Sequence, residues 1–467
     1  MKHRWWSRGI AALAVTATLV SIGANSPAAG SEGKHAARPA ACSQPDPDAE
    51  PPAPEPTSLT TIGQAYYCVF DNYFSGPVLD SRSLLVPAFA AITQEMQRRG
   101  VDQADAALPA LTGRRDADWA AFSKVYKRIT AALPDDDTRT AVAVAAIEAM
   151  VTALGDNHAR WAHESHPNLY GLGLSAVVGP GDIDPVATEP AYLNEITSGG
   201  PAEQAGLRLG DELLAVDGVP LFTGGVFTVG VVHALLEKPA GTAVAFTVRR
   251  PSTGQTFTAT VTTAPVRGQP AAVTSRLVDG NIAYVKLPGF SPPLADQVLA
   301  AIASLREQAD LRGVVLDLRG NGGGSPDAVS TLLGALAHGK ITSYWCDVRD
   351  RCVPNRTDDS VPLLNLPFVA LTDRRCASAC DSFSSAVKDL KLGTLVGTRT
   401  AGAVAGPADG FLLNDGSALL LPKYHEIAAN KEVVNTVGVA PDHYAPTTAA
   451  DLSAGRDPGL ATAVSLL

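Results

Sequence analysis

Three short segments carry residue types that could cooperate in acyl chemistry. The first is Cys376-Ala377-Ser378-Ala379-Cys380-Asp381, set between an apolar run and an amphipathic one. Phe383, Ala386, Val387 and Leu390 predict a helix by their spacing, and Ser378 falls at its start, where the dipole stabilises negative charge. A serine there is ordinarily an N-cap. Two flanking alanines and a Cys376–Cys380 bridge would instead hold a sharp turn with the hydroxyl exposed. The second is the loop Asp317-Leu318-Arg319-Gly320-Asn321-Gly322-Gly323-Gly324, which follows an apolar strand and opens a helix. Its backbone N–H groups suit an anion, either a phosphate or a developing oxyanion. Position 325 is Ser, so this is no G-x-G-x-x-G, and Gly334 to Ile341 reads G-x-x-x-x-G-K-I, without the hydroxyl that magnesium needs. Both departures argue against a nucleotide. The third is His158, on a loop just past an apolar helix. Neutral imidazole accepts a hydroxyl proton near neutral pH. His163 and His166 are spaced H-x-x-H, not H-E-x-x-H, so a zinc peptidase motif is missing.

The elements that must position these groups follow from periodicity. Leu59 to about Pro167 is helical in pattern. Within it, Ile147, Met150, Val151 and Leu154 form one face of a helix from Thr138 to Leu154, with Asp135 to Asp137 before it and Gly155 at the C-cap. From Leu169 to Thr263 short strands alternate with turns: Val244–Val248 and Thr256–Val261 read as strands, and Gly210-Asp211 turns into Leu213–Val216, closed by Asp217-Gly218. From Val273 onward strands and helices alternate. The strands are Ile282–Leu287, Gly313–Leu318 and Pro367–Thr372, and the helices Pro293–Arg306, Pro326–Leu336 and Asp381–Leu390. That rhythm predicts a layered α/β domain.

Composition narrows the class. The 467 residues predict about three domains. A net charge of −10, with no basic block past the N-terminus, excludes a dedicated nucleic-acid binder. Lys2, Arg4 and Arg8, then the apolar stretch Gly9–Ile22 and small residues to Ala29, read as a secretory signal peptide. A membrane association arises only if that segment stays uncleaved. Seven prolines between Arg38 and Thr57 make a stiff linker. The six cysteines, an even count in an exported chain, favour disulfides, and the last four fall in close pairs, Cys346/Cys352 and Cys376/Cys380.

From about residue 60 to 445 the chain resembles the C-terminal-processing, or tail-specific, serine peptidases. The marks are Asp317-Leu-Arg-Gly-Asn-Gly-Gly-Gly324, Cys376-Ala-Ser-Ala-Cys380 in place of the family's S/T-A-S-A-S, and Gly438-Val-Ala-Pro-Asp442. The resemblance implies a multi-domain α+β fold: a helical N-terminal region, a PDZ domain and a crotonase-like ββα core. It implies Ser378 as nucleophile, with the oxyanion on the backbone N–H of Ala379 and of Gly322 or Gly323. Leu172, Gly173 and Leu174 look like a PDZ carboxylate-binding loop. The place of the processing branch's lysine holds Ala403, and no lysine occurs between Lys391 and Lys423. The tricorn-like branch uses a histidine instead, and His158 matches its D-x-H pattern. Asn157 or Asp156 would orient the ring. The place of that branch's glutamate holds Asn435, which cannot offset a charge.

The expected organisation is a signal peptide at 1–29, a Pro/Ala-rich linker at 30–58, a helical domain at 59–167, a PDZ domain at 168–265, a peptidase core at 266–446 and a C-terminal tail at 447–467. The expected activity is that of an exported serine endopeptidase, secreted or held in the cell envelope, acting on proteins or peptides with a free C-terminus. It needs no metal or cofactor. The rival is a non-catalytic protein of the same fold that captures C-terminal peptides, and the distance from Ser378 to His158 discriminates the two.

Overall fold

A computed structural model describes residues 42, 44, 53–163, 170–178, 190–227, 241–265 and 272–467. The signal segment and most of the linker lie outside the described residues, as do the stretches around the boundaries expected near 167 and 265.

Four helices open the fold: α1 (Leu59–Asn72), α2 (Ser81–Arg98), α3 (Arg115–Thr130) and α4 (Asp136–Thr152). The predicted face of α4 is the buried one, through Ile147, Met150 and Val151. The helix begins two residues before Thr138 because Asp135 serves as N-cap, accepting from Thr138 N at 2.7 Å. Gly155 takes φ +63° and turns the chain out of the helix. A short strand, β1 (Arg160–Ala162), follows at once.

The next module is an antiparallel sheet of β2 (Leu174–Val178), β3 (Ala191–Ile196), β4 (Glu212–Val216), β5 (Ala243–Arg250) and β6 (Gln255–Thr262), with one short helix, α5 (Pro201–Gln204). The strand order is β6-β5-β4-β3-β2, which leaves β2 at an edge. Val244, Phe246 and Val248 alternate into its core, as a half-buried strand requires. Asp217 and Gly218, at φ +49° and +79°, form the predicted turn after β4.

The rest is the α/β core. It comprises β7 (Thr274–Val278), β8 (Ile282–Lys286), α6 (Pro292–Gln308), β9 (Gly313–Asp317), α7 (Pro326–Gly334), β10 (Ile341–Cys346), β11 (Cys352–Arg356), β12 (Phe368–Thr372), α8 (Ala379–Asp389), β13 (Thr394–Gly397), β14 (Ala408–Leu412), β15 (Ala418–Pro422), β16 (His425–Ala428), β17 (His443–Tyr444), α9 (Ala449–Ser453) and α10 (Pro458–Ser465). The main sheet runs β7-β8-β9-β12-β13-β17, parallel apart from the β7/β8 pair. Strands β9 and β12 are buried at every residue, which is why they read as unbroken apolar runs. One face of this sheet packs on α6, α7 and α8; the other takes Ala463, Leu460 and Val464 of α10. The expected three-part α+β architecture is therefore present.

Two arrangements were invisible in the sequence. The β14–β15 hairpin leaves the core and inserts Phe411, Leu413, Leu419 and Leu421 among the N-terminal helices. At about 1.5–3 kcal/mol for each fully buried side chain, this binds hairpin and helices into one body. The stretch 447–467, set apart in the sequence as a tail, is integral. Asp457 caps α10, accepting from Leu460 N at 2.9 Å, and also receives Arg319 Nη1 at 2.8 Å. Arg319 in turn pairs with the buried Asp317 at 2.7 Å, so the glycine loop's own charged residues anchor the chain end.

Candidate active site

Ser378 sits between β12 and α8, at φ +58° and ψ −119°. A non-glycine residue in that region is strained, and such strain collects at functional turns. Surroundings hold it there: Ser378 N donates to Ala403 O at 2.8 Å and to Asp381 Oδ2 at 3.1 Å. Cys376 and Cys380 are joined across it, both fully buried. The other pairs are Cys346–Cys352 and Cys42–Cys68.

His158 arrives from the helical region, 220 positions earlier in the chain, and its Nε2 lies 3.0 Å from Ser378 Oγ. Its placement depends on the inserted hairpin. Two residues past His158, β1 pairs with β15 in the register Arg160↔Leu420 and Trp161↔Leu419. Trp161 Nε1 also donates to Ser417 Oγ at 2.7 Å. The imidazole Nδ1 lies 2.6 Å from Asn157 Oδ1, so Nδ1–H donates there and Nε2 is free to accept from the serine. Asp156 is the nearest carboxylate, 3.9 Å from Nδ1, and its Oδ1 accepts from His158 N at 2.9 Å. Burial pushes the His158 pKa down, against the opposing pull of Asp156 and with a lesser push from Arg160.

Asn435 is a correction. Both ring nitrogens of His158 have other partners, and Asn435 Oδ1 instead accepts from Val404 N at 3.1 Å. It braces the segment behind the serine and makes no hydrogen bond to the histidine ring among the described residues. The residue that sequence reasoning missed is Tyr73, buried just past α1, whose hydroxyl donates to Asp156 Oδ2 at 2.9 Å. A lone tyrosine at a helix end gives no sequence signal for this role.

The glycine loop lies directly against the serine. A Cβ on Gly323 would stand 2.6 Å from both Ala377 O and Ser378 Cβ, so only glycine fits there. Its N–H is taken by Asn321 Oδ1 at 2.9 Å. Asn321 is itself fully buried, donating to Leu287 O at 3.0 Å, and its carbonyl accepts from Ala377 N at 3.0 Å. The N–H of Gly322 and that of Ala379, the first residue of α8, have no acceptor among the described residues. Of the two glycines proposed, Gly322 is thus the one with a donor to offer an oxyanion.

Ala403 occupies the lysine's expected place and hydrogen-bonds only through its own main chain, and Lys423 is paired with Asp409. In the antiparallel module, Gly173 adopts φ +69° just before the edge strand β2. A Cβ there would press on Pro201 at 3.1 Å. Leu172 is buried, its carbonyl accepting from Ala202 N at 2.9 Å, and Leu174 packs partly against the module's core.

Residues 281–445 match the model of peptidase family S41, and residues 193–250 match that of a PDZ domain. The carboxyl-terminal-processing protease of Picosynechococcus sp. is 28% identical over 290 residues, covering 60% of this chain and 64% of that protein. The chloroplastic C-terminal processing peptidase of Tetradesmus obliquus is 29% identical over 293 residues, 59% of this chain and 60% of that protein. The matched region therefore spans less than two thirds of either relative. The solved photosystem II D1 C-terminal processing protease superposes over 83% of this chain and 92% of its own, with TM-score 0.51 and 23% identity, a likeness of fold. Residues 281–445 thus carry a peptidase family S41 domain, preceded by a PDZ domain at 193–250.

Proposed function

We propose that this chain is an exported serine endopeptidase that captures protein C-terminal tails on its PDZ domain and cleaves peptide bonds through an acyl-enzyme. The observation that carries the reading is the 3.0 Å contact between His158 Nε2 and Ser378 Oγ. That is hydrogen-bond reach for a nucleophile and its base, and it favours the enzyme over a non-catalytic binder.

In this mechanism His158 takes the Ser378 proton at Nε2 as Oγ attacks the carbonyl carbon. The imidazolium that forms keeps its Nδ1–H on Asn157 and faces the Asp156 carboxylate 3.9 Å away. Asn157 fixes the ring, and Asp156 supplies the negative charge that an amide cannot. The tetrahedral oxyanion sits on the N–H groups of Ala379 and Gly322, with the α8 dipole adding to both. His158 then returns the proton to the leaving amine. Water, activated by the same histidine, releases the acyl group. A histidine base without the lysine supports a likeness to the tricorn-like branch of these peptidases.

Substrate capture would use Leu172, Gly173 and Leu174. The edge position of β2 supports addition of a peptide strand, and the turned backbone at Gly173 supports a carboxylate held on N–H groups. Export is supported by the three disulfides that pair all six cysteines.

The test is labelling with a serine-directed fluorophosphonate, followed by peptide mapping. Modification of Ser378, lost in Ser378→Ala and strongly slowed in His158→Ala, is the expected result. A folded protein that is not labelled, and that binds but does not cleave peptides with apolar C-termini, would overturn it in favour of the binder.

A further inference from the structure

We infer that Asp381 is a positioning residue for the nucleophile, clamping the Ser378 turn to residues 400–403 through a carboxylate that accepts from both sides. The inference rests on the reading of Ser378 as the nucleophile.

Asp381 lies in the first turn of α8 and is fully buried. Its Oδ2 accepts from Ser378 N at 3.1 Å and from Ala403 N at 3.0 Å. Its Oδ1 accepts from Gly402 N at 2.9 Å and from the Thr400 hydroxyl. Three of these four donors are backbone amides, which cannot reverse their role. A carboxylate with two accepting oxygens satisfies all of them. An amide cannot, because its NH2 must face at least one backbone N–H, whichever way it is turned.

The clamp extends to the Gly438-Val-Ala-Pro-Asp442 motif. Thr400 Oγ1 accepts from Val439 N at 2.7 Å, and Thr400 N donates to Val439 O at 3.1 Å. A Cβ on Gly402 would collide with Gly438 N, and one on Gly438 with Thr400 O, so the two segments meet backbone to backbone. Ala403 closes the ring by accepting from Ser378 N at 2.8 Å. A lysine's place in the resemblance thus serves here through its main chain. What the ring secures is the positive φ of Ser378, an unfavourable conformation for a serine, and with it the aim of Oγ at His158.

The experiment compares full-length wild type, Asp381→Asn, Thr400→Val and Thr400→Ser. For each it measures the rate of fluorophosphonate labelling at Ser378, and kcat and KM on a fluorogenic peptide with an apolar C-terminus. Asp381→Asn should lower labelling rate and kcat together by about 100-fold with KM within about twofold, because the loss falls on the reacting group and not on binding. Thr400→Val, which removes one donor to the carboxylate and the acceptor of Val439 N, should cost about tenfold, and Thr400→Ser should recover most of that loss. Folded Asp381→Asn that labels within about threefold of wild type overturns the clamp. So does equal behaviour of the two Thr400 variants, which decides the matter if Asp381→Asn does not fold. If wild type itself is not labelled, the nucleophile assignment fails, and the clamp falls with it for that separate reason.

Discussion

The Tyr73 hydroxyl donates to Asp156 Oδ2 at 2.9 Å, and Asp156 faces the outer side of the His158 ring 3.9 Å from Nδ1. A buried tyrosine at the end of α1 thereby sets the carboxylate that would balance an imidazolium. Tyr73→Phe should lower kcat by about tenfold or more with KM unchanged, the worth of one hydrogen bond to a charged group. Asp156→Asn should cost more than Tyr73→Phe, since it removes the charge itself. Steady-state kinetics on one peptide checks both, and an equal rise in KM would argue against this role.

The pH dependence follows from the burial of His158. Desolvation disfavours the imidazolium, Asp156 opposes it, and the net direction is downward. A histidine acting as base must be neutral, so under the proposed mechanism kcat/KM should rise with pH through a midpoint below the ordinary histidine value of about 6.5 and then level off. Asp156→Asn removes the opposing pull and should move the midpoint lower still. A pH–rate profile from 4.5 to 8 reads both shifts; an acid limb centred well above about 6.5 would contradict the burial argument.

The two loop glycines should behave differently. Gly323→Ala forces a methyl to 2.6 Å from Ala377 O and Ser378 Cβ, so labelling of Ser378 should fall by about 100-fold or more. Gly322→Ala meets nothing within 4 Å and keeps its N–H, so its loss should stay within about tenfold. The comparison separates the glycine needed for close approach from the one needed as a donor.

The disulfide at 376–380 brackets Ser378 inside the core, whereas Cys352 of the 346–352 pair is exposed. Mild thiol treatment of folded protein should therefore open 346–352 first, with activity retained. Activity should fall only as 376–380 opens. Intact mass, differential alkylation and activity followed together test this order, and full reduction should add six hydrogens. Activity that persists with Cys376 and Cys380 alkylated would show that the bridge is dispensable.

The sequence alone determined much of the local structure. The spacing of Ile147, Met150 and Val151 defines the buried face of α4, and the apolar runs of β9 and β12 mark central parallel strands, because periodicity is a one-dimensional property. Motif spelling pointed to Ser378, His158, Ala379 and the glycine loop as candidates, whereas the close spacing of the four late cysteines left their pairing open until the structure joined 346 to 352 and 376 to 380. Tertiary structure decided the rest. Tyr73 joins the site and Asn435 bonds to Val404 because of how α1 and the 434–438 segment pack, which no spacing encodes. Gly322 was separated from Gly323 by a side chain, Asn321, that claims one N–H and leaves the other. Most of all, the 3.0 Å contact between His158 and Ser378 depends on a hairpin from the core burying four apolar side chains among distant helices. Burial of apolar surface is non-directional, so the sequence shows which residues seek a core but not which core they join.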